Sequence, residues 1–169
     1  MIEREKSSPV ISITIEEYLE DVHRLFLLTF KQVEMERGRI VALRLARSTG
    51  EALGREMARN QLGSRRLHDF EEFRTFWKAL MSSPIFSATQ QVTILEDGPV
   101  HLRMRVDRCL WAEYFQRIGE TELGYLVCCN ADHSMIATYN PKLALHRTKT
   151  IMQGDDHCNH CFHWSEEGP

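Results

Sequence analysis

Asn140–Trp164 reads NPKLALHRTKTIMQGDDHCNHCFHW and predicts a β-hairpin late in the sequence. Asn140-Pro141 and Gly154-Asp155 are turn signals, because proline fixes and glycine frees the backbone angles that turns require. The residues between and after these turns are rich in apolar side chains at alternate positions. We therefore expect one strand over Leu143–Met152 and another, dense in cysteine and histidine, over Cys158–Trp164.

A second hairpin precedes this one and has the same period of two. Gln91–Glu96 predicts a strand, Asp97-Gly98 a turn, and His101–Arg108 the next strand. One face of that next strand carries Val100, Leu102, Met104 and Val106, and the other carries His101, Arg103, Arg105 and Asp107. The apolar face should pack on helices, and the polar face should meet water or a cleft.

Two helical segments separate the hairpins. Leu110–Ile118 predicts a short helix that ends at Gly119. A second helix is expected from Thr121 to about Ala137. Because both segments stand between strands, they form a helical insertion in the sheet region.

The first half of the chain is predicted to be helical. Thr14 and Glu17 form a capping box, and apolar residues at helical spacing after them predict a largely buried helix. A break near Gly38 leads into a second helix, where Gly50 and Gly54 either allow close packing or mark a kink. Further along, an aromatic stripe over residues 70–80 follows another capping pattern and is expected to belong to the core.

These patterns predict an α+β fold, in which N-terminal helices pack on a mostly antiparallel sheet of about four strands with a helical insertion. A chain of 169 residues is expected to be a single domain, 1–169, with a buried core of its own. Residues 1–12 should be a loose leader, residues 13–85 the helical part, and residues 90–164 the sheet part that carries the site.

The composition, with 43% hydrophobic and 27% charged residues, is that of a globular protein. A net charge of −3 argues against nucleic-acid binding, which needs a concentrated positive surface. No apolar run approaches the ~20 residues that cross a bilayer, and the charged start does not resemble a secretory signal. The five cysteines are expected to be reduced thiols, which predicts a cytoplasmic protein.

Cys158 and Cys161 have the spacing of half a zinc site, but the predicted strand separates them. Two cysteines at this spacing bind one zinc ion when a tight turn aims both sulfurs inward. On a strand, Cys158 shares a face with Phe162, whereas Cys161 lies on the opposite face. Because Phe162 belongs in the core, we expect Cys158 to point inward and Cys161 to point away from it.

Further thiols and an acid stand at the ends of other predicted elements. Cys109 lies where a strand gives way to a helix, and Cys129 and Asp132 share one face of a predicted helix. Cys128 is turned away from that face by roughly 100° and is expected to be a small core residue. For each of these cysteines the alternative is a buried, inert thiol.

With these residues in place, the sequence resembles the L-2-amino-thiazoline-4-carboxylic acid hydrolase family. The resemblance covers residues 90–164, and its motifs are Arg108-Cys109, Cys129-x-x-Asp132, Asn140-Pro-x-Leu-x-Leu-x-Arg147-Thr-Lys-Thr and Gly154-Asp155-Asp156-x-Cys158. The Gly-Asp-x-x-Cys ending is also similar to that of the 4-vinyl-reductase-like small-molecule-binding domains. The resemblance implies a hydrolase that opens a small cyclic carbon–nitrogen bond, as when a thiazoline ring opens to an N-carbamoyl cysteine.

Two versions of the chemistry are compatible with these side chains. In the metal version, Cys109, Cys129 and Cys158, with His160 as a further candidate ligand, would bind a zinc-like divalent ion, which lowers the pKa of a bound water to about 7. Asp132 would then be the general base. In the metal-free version, one of these thiols attacks the ring directly, assisted by Asp132 or a histidine.

Substrate binding is assigned to Arg147, Lys149 and His160. Arg147 and Lys149 share a predicted strand face and could hold a carboxylate, Arg147 through its bidentate fork. The alternative is that both are solvent-facing strand charges. Asp155 is expected to serve the turn itself by accepting backbone amide hydrogen bonds.

A binding module is the competing class of function. The same cysteines could serve a sensor or carrier that holds a small ligand or a metal without turnover, as in the 4-vinyl-reductase-like domains. A purely structural protein would explain the helical half but would leave the cysteines unexplained. For both the hydrolase and the binding module the expected partner is a small molecule, with no role for nucleic acid or membrane. Whether the protein forms a homo-oligomer is left open.

Overall fold

The computed structural model describes residues 12–165, so the predicted loose leader lies, except for residue 12, outside the described residues. The helices are α1 (Ile15–Arg37), α2 (Arg39–Leu62), α3 (Phe70–Met81), α4 (Pro84–Thr89), α5 (Leu110–Arg117), α6 (Thr121–Gly124) and α7 (Ala131–Tyr139). The strands are β1 (Gln90–Asp97), β2 (His101–Cys109), β3 (Leu143–His146) and β4 (Cys158–Trp164). Within residues 12–165, none of these helices combines the length and apolarity that crossing a membrane requires.

The four strands form one sheet in the order β1-β2-β4-β3, and each neighbouring pair is antiparallel. The α+β prediction is therefore confirmed, including both hairpins and the helical insertion between them. The alternation on β2 is also confirmed, since Leu102, Met104 and Val106 are buried. Val100 was expected on the same apolar face, but it precedes the strand and is 58% exposed.

Aromatic side chains join the sheet to the helices. Trp77 on α3 lies 4.9 Å from Phe162 on β4, measured between ring centroids, and Phe73 lies 5.5 Å from the same ring. Tyr139 on α7 packs edge-on against Trp77. Because aromatic pairs at these distances bury large apolar areas, they hold α3 and α7 on one face of the sheet. The predicted aromatic core stripe is confirmed.

Helix α2 packs closely against α7 through a stripe of small residues. The buried positions on α2 recur every fourth residue and are Ala42, Ala46, Gly50, Gly54 and Ala58. A Cβ atom at Gly50 would lie 2.3 Å from the Leu126 carbonyl oxygen, and one at Gly54 would lie 2.2 Å from the Ala131 carbonyl oxygen. Of the two alternatives for these glycines, close packing is therefore confirmed.

Helix α1 is less buried than its sequence pattern suggests. The capping box is confirmed, because Thr14 Oγ1 accepts the Glu17 amide and the Glu17 carboxylate accepts the Thr14 amide. However, the buried residues of the helix are only Leu19, His23 and Phe30. The prediction of a largely buried helix is wrong, since α1 packs on α2 and α5 from one side while no described residues cover its opposite face.

The predicted helix from Thr121 to about Ala137 is not one continuous α-helix. Residues Tyr125–Cys129 form a π-helical turn between α6 and α7, with the Asn130 amide donating to the Tyr125 carbonyl at 2.8 Å. A π turn inserts one extra residue into the helix, and such turns often occur at functional sites. Because of the extra residue, the side chains that follow the π turn point in different directions from those they would have in a continuous α-helix.

The predicted strand Leu143–Met152 is wrong beyond His146. After β3 the chain leaves the sheet, because the Asn159 side-chain oxygen accepts the backbone amides of Thr148 and Lys149 at 3.0 and 2.7 Å. These contacts replace the ladder hydrogen bonds that a continued strand would make. The segment then closes in a short 3-10 turn over Ile151–Gln153.

Candidate active site

Arg147 is the centre of a polar cluster where the π turn, α7 and the start of β4 meet. Its side chain is only 2% exposed. Nη1 donates to Asp132 Oδ2 at 2.7 Å and to His160 Nε2 at 2.9 Å, and Nη2 donates to the Cys129 carbonyl at 2.6 Å. We call Arg147, Asp132, His160 and the Cys129 carbonyl the Arg147 cluster. It brings three separate segments of the chain together around one guanidinium group.

The local structure explains why these groups converge. Cys129 ends the π turn, and Asp132 follows in the first turn of α7, so both lie on the same side of the helical insertion. Arg147 is the first residue after β3, where the chain leaves the sheet. His160 is on β4 and shares the inward face with Phe162, whose ring stacks on it at 6.0 Å. The position of Arg147 in the site therefore depends on β3 ending at His146, just as the position of Asp132 depends on α7.

Charge in the cluster is fixed by burial and by one ion pair. Burial lowers the pKa of Arg147, but the neighbouring Asp132 carboxylate outweighs it and leaves that pKa above its usual value. Burial also lowers the pKa of His160 to about 4, with the Arg147 cation acting in the same direction. At neutral pH Arg147 is thus a guanidinium cation and His160 a neutral imidazole. Since Nε2 of His160 accepts from Arg147, its ring proton is on Nδ1.

Asp132 is the part of the cluster that faces solvent. Its side chain is 32% exposed, whereas those of Arg147 and His160 are 2% and 13% exposed. Oδ2 is bound by Arg147, and no hydrogen bond among residues 12–165 engages Oδ1. A carboxylate oriented through one oxygen and open at the other can accept a proton from a water or a ligand.

The thiols around the cluster are protonated at neutral pH. Burial raises the pKa of Cys109 to about 12, although the backbone amides of Ala112 and Trp111 at the start of α5 lower it in part. Burial also raises the pKa of Cys158, and the Ile151 amide, which donates to its sulfur at 3.3 Å, offsets only part of this effect. The pKa of Cys129 is raised by burial as well. A thiol in this form is a weak nucleophile.

The predicted metal ligands do not fit a zinc-like ion in this arrangement. No group of three His, Cys, Asp or Glu side chains within the described residues is placed to hold a metal. The buried Arg147 cation also opposes a divalent cation at the same place. The metal-ligand set therefore stays a prediction.

The structure brings most of the predicted site residues together. The Arg147 charge lowers the pKa of the Cys129 and Cys158 thiols in part, and the Asp132 charge adds to the raised pKa of Cys109. Lys149 lies apart, because its side chain is 45% exposed and its ammonium group binds Asp156 at 3.2 Å. Its assignment to substrate binding stays a prediction, and its position fits the alternative of a solvent-facing charge.

The last strand separates Cys158 from Cys161. Cys158 is buried opposite Val106, whereas Cys161 stands opposite the exposed Arg103. The two sulfurs therefore belong to different faces of the sheet, as the period of the strand predicts. Asp155 serves its turn, since its carboxylate accepts the Thr150 amide at 2.8 Å.

Sequence reasoning missed a contact between His23 and Cys128. His23 Nδ1 lies 2.7 Å from the Leu19 carbonyl oxygen, and Nε2 lies 4.0 Å from Cys128 Sγ. A carbonyl can only accept, so Nδ1 carries the proton and Nε2 is free to accept from the thiol. Burial lowers the pKa of His23 and raises that of Cys128, which keeps the pair neutral. In the sequence, His23 has the same helical spacing as the buried Leu19 and Phe30, so a polar side chain on the inward face of α1 was the signal for this contact.

An open surface groove elsewhere contains none of these groups. It is lined by residues before and along α3, among them Arg65, Asp69 and Phe76. Its acids and bases face solvent without converging on a common point. We therefore locate the candidate site at the Arg147 cluster, where oriented charges and thiols meet.

Comparison with known proteins agrees with the resemblance in the sequence. The family model described as L-2-amino-thiazoline-4-carboxylic acid hydrolase matches residues 21–162, which is well over half of the chain. The match extends from α1 to β4 and includes every residue of the Arg147 cluster. No curated protein matches the chain.

Proposed function

Because the chain belongs to the L-2-amino-thiazoline-4-carboxylic acid hydrolase family, we propose that it hydrolyses a small cyclic amidine at the Arg147 cluster. The observation that supports this site best is the buried guanidinium that orients one oxygen of the partly exposed Asp132 carboxylate, while the other oxygen has no hydrogen bond among residues 12–165. Hydrolysis needs a base for water and a positive charge for an anionic substrate. Asp132 supplies the base and Arg147 the positive charge, and a hydrogen bond of 2.7 Å joins the two side chains.

Asp132 is the proposed general base. Water attacks the amidine carbon between the ring nitrogen and the ring sulfur, and Asp132 Oδ1 takes the proton. Arg147 holds the Asp132 carboxylate in place, and because its side chain is only 2% exposed it would act on the substrate's own carboxylate through its charge and not through a direct contact. His160 is neutral and keeps the guanidinium in position through Nε2. Direct attack by a thiol is less favoured, because the pKa of each nearby thiol is raised.

The tetrahedral intermediate then loses one of two ring bonds. Cleavage of the carbon–nitrogen bond releases the ring nitrogen as an amine and gives an S-carbamoyl cysteine. Cleavage of the carbon–sulfur bond releases the ring sulfur as a thiol and gives an N-carbamoyl cysteine. In each case one water is added, and the leaving atom receives the proton that Asp132 took. An N-carbamoyl product, as in the family's named reaction, therefore requires carbon–sulfur cleavage, while a carbon–nitrogen hydrolase would form the S-carbamoyl product.

A non-catalytic binding domain is the second candidate function. The supporting observation is that the protein itself satisfies Arg147 with three acceptors, while all three neighbouring thiols are protonated. A sensor or carrier of the 4-vinyl-reductase-like type could bind a small carboxylated ligand at this point. It would need no general base, and Asp132 would only orient the guanidinium.

One experiment separates the two functions. The purified protein is incubated with L-2-amino-thiazoline-4-carboxylate, and products are separated by chromatography and weighed by mass spectrometry. We expect a product heavier than the substrate by one water, and its free thiol or free amine identifies the bond that was broken. Calorimetric binding without any product would favour the binding domain. Neither binding nor product would contradict the assignment of this substrate class.

A further inference from the structure

The arginines in and around α2 differ from the other arginines of the protein in having no ionic partner. Every other arginine of residues 12–165 forms an ion pair with an aspartate or a glutamate. The arginines of this range that lack such a pair are all exposed and all lie between residues 37 and 66, and four of them are on α2: Arg44, Arg47, Arg55 and Arg59. Because no carboxylate neutralises them, they form a positively charged surface.

The charge of the protein is unevenly distributed along its sequence. Residues 37–66 contain eight arginines and only two acids, Glu51 and Glu56, although the whole chain has a net charge of −3. The remainder of the chain is therefore more acidic than the net charge indicates. A molecule with this asymmetry approaches an anionic surface with one side only, since its other sides are repelled. The expectation of no anionic macromolecular partner depended on the net charge alone, which conceals this side.

Helix α2 presents two different rows of side chains to the solvent, one on each side of its buried stripe of small residues. Directly after a buried residue of the stripe come the members of the basic row, Arg47, Arg55 and Arg59. Directly before a buried residue come the members of the apolar row, Val41, Leu45 and Leu53, which are 43%, 47% and 43% exposed. Since successive residues are about 100° apart, the two rows flank the stripe on opposite sides.

The ridge between the two rows points directly away from the core. Ile40 and Arg44 lie on it, and Ile40 is 75% exposed. Ser48 and Ala52 follow at the same spacing and are small, so the ridge allows a flat surface to approach both rows at once. The exposed side of α2 is therefore basic and apolar together.

An anionic lipid surface is complementary to both rows. The fork of a guanidinium group matches the phosphate and carboxylate oxygens of lipid headgroups. Exposed aliphatic side chains gain free energy when they leave water for the boundary between headgroups and acyl chains. A nucleic acid would neutralise the basic row but would leave the apolar row in water. The combination of an arginine row with an apolar row on one helix therefore favours lipid.

We propose that the protein binds the surface of an anionic phospholipid membrane through the basic row and the apolar row of α2. Crossing a bilayer requires ~20 apolar residues, which no helix of residues 12–165 supplies, but lying on its surface requires only one suitable side of a helix. The buried stripe of α2 faces α7, so the bound membrane lies on the far side of α2 from that helix. The proposal holds whether or not the Arg147 cluster is catalytic.

Sedimentation of the full chain with lipid vesicles tests the basic row. We expect the wild type to bind vesicles of about two-thirds phosphatidylcholine and one-third phosphatidylserine, and not vesicles of phosphatidylcholine alone. The triple variant Arg47→Gln/Arg55→Gln/Arg59→Gln should bind about 100-fold more weakly, at about fivefold for each arginine. These arginines have no ionic partner within the described residues, so the variant should fold normally, which circular dichroism verifies.

A triple variant on β2 is the matched control for net charge. Arg103→Gln/Arg105→Gln/Arg108→Gln removes the same charge from arginines that already have ion-pair partners. We expect its affinity for the same vesicles to stay within about threefold of the wild type. Absence of wild-type binding to the anionic vesicles, or equal losses in the two triple variants, would overturn the proposal.

The apolar row separates a lipid surface from other polyanions. Leu45→Ser/Leu53→Ser should weaken vesicle binding by about tenfold or more, because lipid insertion of the two leucines is lost. Ile94→Ser/Leu95→Ser, at exposed positions on β1, is the control and should bind like the wild type. Unchanged vesicle binding in Leu45→Ser/Leu53→Ser, or wild-type binding to a DNA duplex that is tighter than binding to the vesicles, would overturn the assignment to lipid.

Discussion

A buried arginine determines what the other residues of the site can do. Arg147 is 2% exposed, and an isolated charge at such a depth would cost several kcal/mol. The cost is offset by a carboxylate and a backbone carbonyl from the helical insertion and by an imidazole from β4. Removing any one of them leaves part of the guanidinium without a partner. The cluster is therefore a single structural unit, and its members should respond to mutation together.

Substitution of Arg147 tests this coupling through stability. Arg147→Met removes the charge while filling similar space, and it leaves Asp132 and the Cys129 carbonyl without their donor. We expect the free energy of unfolding to fall by about 2–4 kcal/mol, below the range for a fully buried pair because Asp132 is 32% exposed. Urea unfolding measures the change. Lys149→Met, which removes an exposed ion pair, should cost less than about 1 kcal/mol. Equal losses in the two variants would contradict the central role of Arg147.

His160 should make stability depend on pH. Its pKa is lowered by burial to about 4 in the folded protein, whereas an unfolded histidine titrates near 6.5. Between these values the unfolded chain binds a proton that the folded protein does not. Stability therefore falls as pH drops from 6.5 towards 4 and levels off below that.

His160→Gln keeps an acceptor for Arg147 but cannot titrate. We expect this variant to lose part of the acid-induced decrease in stability between pH 6.5 and about 4, measured by urea unfolding at several pH values. The remaining decrease includes His23, whose pKa burial also lowers. His146→Gln, at an exposed position on β3, controls for the substitution itself. An unchanged pH dependence in His160→Gln would show that this histidine is not buried in its neutral form.

At the scale of elements, the contact of α2 with α7 places the site. Gly50 and Gly54 bring the backbone of α2 against the carbonyls of Leu126, within the π turn, and Ala131, at the start of α7. The sequence left open whether these glycines mark a kink or a close contact. A single sequence contains the spacing of the small residues but not the identity of the element they face.

Gly54→Ala tests the close contact. Alanine would favour the helix by about 1 kcal/mol, but its Cβ would lie 2.2 Å from the Ala131 carbonyl and 2.4 Å from Ser134 Oγ. We expect overpacking to prevail, with a net loss of about 1–3 kcal/mol in thermal or urea unfolding. Thr49→Ala, exposed on the same helix, should change stability by less than about 0.5 kcal/mol. A stabilised Gly54→Ala variant would mean that α2 and α7 can separate without cost.

The elements that sequence reasoning located best are those defined by local chemistry. The Thr14 and Asp69 caps, the aromatic stripe on α3 and the strand Cys158–Trp164 all depend on neighbours along the chain. The end of β3 was wrong because it depends on Asn159, eleven residues beyond Thr148. Likewise, the π turn packs against α2, which lies far away in the sequence, and no local pattern in the sequence predicts it.

At the scale of the whole molecule, the site lies between two hydrophobic clusters. One joins α3, α7 and the sheet around Phe73 and Phe162, and the other joins α1, α2 and α5 around Phe115. Cys129 packs against the second cluster, while His160 stacks on Phe162 of the first. The sequence placed Cys109, Cys129, Asp132 and Cys158 near the ends of elements on the inward side, and their roles stay predictions. It could not predict that Arg147 would be buried among them, since a strand continuing to Met152 would have placed Arg147 and Lys149 on the same face.

The kinetics of ring opening in matched variants test the assignment of catalysis to the Arg147 cluster. The value of kcat/KM for L-2-amino-thiazoline-4-carboxylate is measured for the wild type, Asp132→Asn and Lys149→Ala, each shown to be folded by its melting curve. Asp132→Asn keeps a hydrogen-bond acceptor for Arg147 but removes the base, so we expect a loss of about 100-fold or more. Lys149→Ala should stay within about twofold, because the exposed ammonium is bound to Asp156 and lies outside the cluster. Full activity in Asp132→Asn, or a large loss in Lys149→Ala alone, would contradict a hydrolytic site organised by Arg147.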